Sequence, residues 1–247
     1  MTEQTASTGP GAGALLLDAV RGVPIEELQF MVLNKSRLPA DFAGFEELRE
    51  IELDNESMAK HGFGDRTADD LRRLGRVTGY VREFVVPQGA PTLGEEPAEI
   101  MMAATVVHLF DHEESVKRWI DESFVRDFRN HVGKETETGQ LLQGVEILKI
   151  EGMNDYAASL LVVHELPDAV LASTIVDFRV GRLLGVAYVV AKRDVTLLDL
   201  AKELALELEK QMVPLEDLQD ILLQNLSQKQ MVEILPESQA DQCFSVF

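Results

Sequence analysis

Three histidines occupy positions at which an imidazole could bind a metal ion or transfer a proton. His108 and His112 are four residues apart, the spacing that places two metal ligands on one face of a helix. His108, however, falls in an apolar run typical of a strand, His112 falls where a helix begins, and no H-E-x-x-H motif surrounds them. His164 lies in another apolar run. We therefore interpret all three as ordinary core or surface histidines and predict no metal site.

Few other residues have the setting of a catalytic or cofactor site. The segment H-G-F-G-D, from His61 to Asp65, has the glycines of a ligand-binding loop but lacks the preceding strand and following helix of a phosphate cradle. The sequence contains no G-x-S-x-G, P-loop, G-x-G-x-x-G or EF-hand motif. Cys243, the single cysteine, excludes an intramolecular disulfide and a cysteine-based zinc site. We predict no catalytic residue and no cofactor, and we favour a protein that is not an enzyme.

Five polar residues are our candidates for an open face of a sheet. Asp177 and Arg179 alternate with apolar residues along a strand, so they point to the same side of it. They could form an exposed ion pair, which contributes only about 0–1 kcal/mol. Together with Tyr80, Arg82 and His164, they are predicted to form a polar cluster on that face.

A second candidate surface lies near the end of the sequence. Leu218, Ile221, Leu222 and Leu226 recur at helical spacing and would form one apolar helix face. If that face does not fold back onto the core, it could bind a protein partner or a second copy of the chain. The last residues, S-V-F, resemble a peptide ligand of PDZ-type grooves, a pattern of low specificity.

The charge of the chain limits its partners. Against 43 acidic residues there are 23 basic ones, which gives a formal net charge of −20 and a pI near 4.6. Such a field repels phosphate backbones and anionic membrane surfaces. The densest basic cluster, which includes Arg72, Arg73, Arg76 and Arg82, is interleaved with acidic residues. We therefore predict no nucleic-acid partner.

Two further features concern membranes and location. No apolar run approaches the roughly 18–20 residues that a membrane span needs, so we predict no span. The segment from Met1 to Gly13 is polar and has no basic region of the kind that begins a signal peptide. A cytoplasmic location is expected by default, and export is the alternative if an upstream signal has been removed.

The secondary structure that positions these residues is predicted most clearly between Ser173 and Met212. Two apolar runs, Ser173–Val180 and Leu183–Ala191, are separated by Gly181 and predict a β-hairpin. Leucine and alanine then recur at helical spacing, at Leu197, Leu200, Ala201, Leu204, Ala205, Leu208 and Met212. The pattern predicts a helix that packs on the hairpin and ends before Pro214.

The rest of the chain adds four strands and several helices. The predicted strands are Arg76–Val86, Ile100–Phe110, Val145–Ile150 and Tyr156–Leu166. One helix or two short ones are predicted over Met58–Leu74, another from a capping pair at Asp111 and Glu114 through Trp119 to Gly133, and a last one after Pro214. The segment Glu26–Asn34 fits either a helix turn or an edge strand.

These elements indicate an α+β fold, with a mainly antiparallel sheet of about six strands covered by amphipathic helices. Their order resembles that of PsbP/Mog1-like sandwiches, as a loose analogy of architecture. We predict a flexible tail over residues 1–13, a single α+β domain over 14–213, and a helical extension and tail over 214–247.

Two hypotheses for function follow. The first is a non-catalytic acidic module for binding or assembly, with an unknown protein partner or a second copy of the chain. The alternative is a small-molecule-binding protein or enzyme with a pocket between the sheet and the Trp119 helix.

Overall fold

Seven strands form one antiparallel sheet in the computed structural model, which describes residues 25–61, 66–87, 100–135, 141–153, 156–166, 169–192 and 195–212. The strands are β1 (Glu46–Glu52), β2 (Arg76–Val85), β3 (Ile100–Phe110), β4 (Leu141–Leu148), β5 (Ala157–Leu166), β6 (Ala169–Val180) and β7 (Leu183–Lys192). Their order across the sheet is β1-β2-β3-β7-β6-β5-β4. The predicted α+β fold is confirmed, with seven strands where about six were expected.

The additional strand is β1, whose sequence E-E-L-R-E-I-E is too charged to show the apolar pattern of a buried strand. It lies at an edge of the sheet, pairs with β2, and leaves Leu48 55% exposed. Edge strands commonly carry charges on their open side, so hydrophobic periodicity is weak there. At the opposite edge, β4 begins four residues before the predicted strand.

The helices are short except for two. Helix α1 (Leu28–Met31) follows a 3-10 turn at Ile25–Glu27, which decides the ambiguous segment in favour of a helix. Helices α2 (Asn55–His61) and α3 (Ala68–Arg73) are the predicted pair of short helices. The side chain of Thr67 caps α3 together with Asp70 in a reciprocal capping box.

Helix α4 consists of three consecutive segments, Glu113–Arg118, Trp119–Phe124 and Val125–His131, of which the middle one has π-helical hydrogen bonding. The predicted capping pair at Asp111 and Glu114 was wrong, because His112 precedes the first turn and its side chain makes no capping hydrogen bond. Asp111 instead packs against the turn at Gly75, whose carbonyl accepts the Asp111 N–H at 2.9 Å.

Helix α5 is described over residues 198–212 and covers what we call the back face of the sheet. Five residues of its predicted apolar stripe are fully buried, namely Ala201, Leu204, Ala205, Leu208 and Met212. Leu200 is partly buried, and Leu197, also partly buried, precedes the helix. At the start of α5 the Leu197 N–H donates to Thr174 Oγ1 on β6 at 3.0 Å. The segment before β1 covers the same face, where the Leu33 N–H donates to Thr105 Oγ1 at 3.2 Å.

The opposite, front face of the sheet carries helices α2, α3 and α4. One apolar cluster joins these helices to the central strands and consists of Leu71, Phe110, Val116, Trp119, Ile120 and Leu184. The sheet is therefore covered on both faces, and residues Ile25–Met212 form one compact unit. None of the described helices has the length and apolarity needed to cross a membrane. The predicted tail 1–13 and extension 214–247, with the leucine-rich face at Leu218, Ile221, Leu222 and Leu226, lie outside the described residues.

Candidate functional site

A cavity of about 380 Å³ lies between the front face of the sheet and the helices that cover it. Its apolar walls include Leu71, Val106, Trp119, Phe124, Phe128 and Val186. Cavities of this size, with mainly apolar walls and a few polar groups, are typical of small-molecule sites. It occupies the place of the pocket that the sequence hypothesis put between the sheet and the Trp119 helix.

The π-helical segment of α4 forms the roof of this cavity. In such a segment the backbone hydrogen bonds join residues five apart, so residues five apart come to the same side of the helix. Trp119 and Phe124 are five residues apart, both are buried, and both line the cavity. A uniform α-helix would direct these two aromatic rings to different sides.

Asp177 is the most unusual polar group in the cavity wall. It lies on β6 directly opposite Ala158 of β5 and Val186 of β7, and it is 2% exposed. Burial raises the pKa of its carboxyl well above the ordinary value. Within the described residues, Asp177 Oδ1 has no hydrogen-bond partner, and no ion pair reaches this carboxyl. It is a buried acid in the wall of the cavity.

His108 contributes an imidazole whose orientation is fixed from behind by Arg76. The Arg76 Nη2 atom lies 3.0 Å from His108 Nδ1. Because a guanidinium can only donate, His108 Nδ1 must accept, and the proton of the neutral ring lies on Nε2. Burial and the nearby Arg76 charge both lower the pKa of His108 well below its ordinary value. The cavity is therefore lined here by a neutral imidazole.

Arg76 is itself enclosed by neutral acceptors. Its Nη1 donates to Asn55 Oδ1 and its Nη2 donates to Leu53 O, both at 2.6 Å. Burial lowers the pKa of Arg76 to about 10. Gly79, opposite His108 on β2, makes room for this arrangement, since a Cβ atom there would lie 2.5 Å from His108 Nδ1.

Two arginine–carboxylate pairs complete the polar lining. Arg49 Nη2 donates to Glu83 Oε1 at 2.8 Å, and the Tyr188 hydroxyl donates to the same oxygen at 3.0 Å. On the helix side, Arg66 Nη2 donates to Asp127 Oδ1 at 2.7 Å. Burial raises the pKa of Asp127, and the Arg66 charge opposes that shift. Each of these arginines thus has its own carboxylate.

Arg66 also forms a contact with the aromatic roof. Its guanidinium carbon lies 5.3 Å from the centroid of the Trp119 ring, within cation–π distance. Trp119 is 8% exposed and belongs to the apolar cluster as well as to the cavity wall.

The five residues of the predicted polar cluster are divided between the two faces. Tyr80 and Arg82 lie on the back face, where the Tyr80 hydroxyl donates to Glu50 Oε1 at 2.8 Å and Arg82 Nη1 donates to Leu33 O at 3.1 Å. His164 and Asp177 line the cavity on the front face. Arg179 lies on the front face too and pairs with Glu113 at 3.6 Å. The prediction that all five residues form a single cluster is therefore wrong.

The predicted exposed ion pair between Asp177 and Arg179 is also wrong. The alternation along β6 was correct, but the side that carries Asp177 is covered by α4 and is not open to water. His108 and His112 are likewise separated, since His108 is buried in the sheet and His112 is exposed before α4. The described residues contain no group of three or more metal-ligating side chains in a suitable arrangement.

Sequence patterns missed Arg49, Glu83 and Tyr188 as parts of a site, because they come from strands far apart in the chain. One signal for a site on this face was present. Strands β3 and β7 contain almost no charge, which indicates strands covered on both faces. A carboxylate on β6, the strand that the hairpin pairs with β7, is then a candidate for burial under the same cover.

Comparisons with known proteins give a structural similarity and no family. No protein-family model matches the chain, and no curated protein sequence matches it. Among solved structures, the chain is similar to the extracellular domain of PknH from Mycobacterium tuberculosis, with 12% sequence identity and a TM-score of 0.51. The similarity covers 76% of this chain and 96% of the other. At this identity the similarity supports the fold, and the site must be argued from its own residues.

Proposed function

We propose that this chain is a non-catalytic binding module that takes up a small molecule in the cavity between the front face of the sheet and α4. The observation that carries the proposal is a cavity of about 380 Å³ whose wall contains a buried carboxyl, Asp177, without a partner among the described residues. A buried polar group without a hydrogen bond costs stability, so an unsatisfied one that faces a cavity is best explained by a ligand.

Binding is favoured over catalysis by how the other polar groups are engaged. Arg49 and Tyr188 saturate Glu83, and Arg76 occupies the acceptor nitrogen of His108. The Tyr188 hydroxyl does donate to Glu83 in the cavity wall, but Arg49 also binds that carboxylate, which makes it a poor general base for activating a nucleophile. The assembly role expected for the helix face at Leu218–Leu226 stays a prediction.

The fluorescence of Trp119 tests the proposal directly, because it is the single tryptophan of the chain and it lines the cavity. The probe is the neutral compound 4-phenylbutanol, titrated into the full chain. We expect saturable binding by the unchanged protein. Val186→Phe, which places a ring beside Asp177, should weaken binding at least about tenfold, since the added ring occupies cavity volume that the probe needs.

Val77→Phe is the matched control, because Val77 lies on β2, is 42% exposed and does not line the cavity. It should bind the probe as the unchanged protein does. Thermal unfolding of each variant establishes that it is folded. The proposed binding site would be refuted if the unchanged protein did not bind 4-phenylbutanol. It would also be refuted if the Val186→Phe variant bound the probe with the same affinity as the unchanged protein.

A further inference from the structure

The charges around the cavity leave one group unmatched. Arg49 is paired with Glu83 and Arg66 is paired with Asp127, so two cations and two carboxylates neutralise each other in pairs. Asp177 remains, as a carboxyl with neither a counter-charge nor a hydrogen bond within the described residues. Buried carboxyls are normally paired, which makes this unmatched group the informative one.

We infer that the ligand of the cavity is an organic cation, an amine carried on an apolar body, whose ammonium group forms an ion pair with Asp177. This inference rests on the proposed function and specifies its ligand. An ammonium donor supplies both the charge and the hydrogen bond that the carboxyl lacks, and charge-assisted hydrogen bonds are about twice as strong as neutral ones.

The aromatic side chains of the same cavity support a cationic ligand. Trp119, Phe124 and Phe128 line it, and the faces of aromatic rings attract cations through their quadrupoles. Trp119 already has a cation at 5.3 Å, the guanidinium of Arg66. The rings of Phe124 and Phe128 are 5.9 Å apart in an edge-to-face arrangement and offer an apolar wall for the body of the ligand.

An anionic ligand fits this environment poorly. It would lie beside Asp177, whereas the other two carboxylates of the described lining, Glu83 and Asp127, are neutralised by Arg49 and Arg66. Arg66 Nη1 also lacks a hydrogen-bond partner among the described residues, but the charge of Arg66 is already matched by Asp127. The whole chain has a net charge of −20, and that field attracts cations and repels anions as they approach. A neutral ligand could bind the apolar walls while Asp177 stays protonated, but it would not form the charge-assisted hydrogen bond that an ammonium group forms with the carboxylate.

A matched set of probes separates these ligand classes. The full chain is titrated at neutral pH with 4-phenylbutylamine, 4-phenylbutanol and 4-phenylbutyrate, which share one apolar body and differ in the charge of the polar group. Trp119 fluorescence reports binding. We expect the amine to bind at least about tenfold more tightly than the alcohol, and the acid to bind most weakly, as an ion pair in a buried site predicts.

Asp177→Asn keeps the shape of the side chain and removes its charge. It should reduce the affinity for the amine at least about tenfold and change the affinity for the alcohol less than about twofold. Binding of the alcohol shows that the pocket of the variant is intact. Asp41→Asn removes one exposed charge from a distant 3-10 turn, and it should leave all three affinities unchanged.

The results distinguish failure of this inference from failure of the proposed function. Equal or tighter binding of the alcohol or the acid, still blocked by Val186→Phe, would overturn the cationic ligand and leave the pocket standing. Tight amine binding that survives Asp177→Asn would overturn the role of Asp177. If none of the three probes binds, both proposals fail.

Discussion

Two carboxyls buried on the same face of the sheet show how much the immediate neighbours decide. Glu83 is 4% exposed and receives hydrogen bonds from Arg49 and from Tyr188. Asp177 is 2% exposed and receives none from the described residues. The charge of the first is compensated by groups from two other strands, whereas ionisation of the second leaves a buried charge without compensation and destabilises the fold.

This difference predicts a pH dependence that belongs to Asp177. Its pKa is raised in the folded state above the ordinary value of 3.8, so the folded protein binds a proton that the unfolded chain has released. The stabilising contribution is present below pH 3.8 and is lost as the pH rises through the folded pKa, by at most about 1.4 kcal/mol per pH unit. The Asp177→Asn variant has no carboxyl at this position, so its free energy of unfolding should not show this loss.

Urea unfolding of both proteins between about pH 4 and 8 measures the effect, and the difference between the two curves removes contributions from other groups. We expect the variant to gain stability relative to the unchanged protein as the pH rises over that range. A difference that stays constant with pH would contradict the burial of an unpaired Asp177.

At the scale of elements, one glycine determines how β2 fits against β3. Gly79 lies opposite His108, and its missing side chain leaves the space in which His108 and Arg76 meet. A Cβ atom at this position would lie 2.8 Å from Arg76 Nη2 as well as 2.5 Å from the imidazole. The contact joins β2, β3 and, through Leu53 and Asn55, the start of α2.

Gly79→Ala should therefore lower the free energy of unfolding by about 1–3 kcal/mol, the usual cost of inserting a methyl group into packed structure. Gly144→Ala is the control, because Gly144 lies on the edge strand β4 and a Cβ atom there meets nothing within 4 Å. It should be neutral or stabilise by up to about 1 kcal/mol, since alanine has less conformational freedom to lose. Equal effects in urea unfolding would contradict the tight joint at Gly79.

The elements also show where sequence patterns succeed. Apolar runs predicted β2, β3, β5, β6 and β7 to within a few residues, because these strands bury side chains along most of their length. β1 escaped prediction because an edge strand needs little apolar surface. The burial of Asp177 escaped it because alternation identifies the side of a strand and cannot show whether a helix covers that side.

At the scale of the whole molecule, the net charge of −20 produces a general repulsion that a folded chain must overcome. Salt screens such repulsion, with a Debye length of about 10 Å at 0.1 M and about 3 Å at 1 M. We expect the melting temperature to rise by about 2–4 °C between low salt and 0.5 M NaCl, for a gain of about 1 kcal/mol.

Scanning calorimetry in NaCl solutions tests this expectation, and Asp177→Asn should show the same rise because its site is buried. A melting temperature that falls with added salt would mean that attractive ion pairs, such as that between Arg66 and Asp127, outweigh the repulsion. The sequence alone was sufficient for this prediction, since composition determines net charge. It could not give the ligand class, because the cavity is built from side chains that meet only after folding.

The order of the strands has a consequence for how the molecule forms. Five of its six pairings join strands that follow each other in the chain, and the sixth, between β3 and β7, joins strands separated by β4, β5 and β6. The two meanders can form early and independently, whereas the β3–β7 seam carries the entropic cost of closing a long loop. Val106 and Val186 line the cavity and lie opposite each other in the β3–β7 pairing. The cavity therefore forms only when β3 and β7 pair, so the chain acquires its binding site in the same step that completes the sheet.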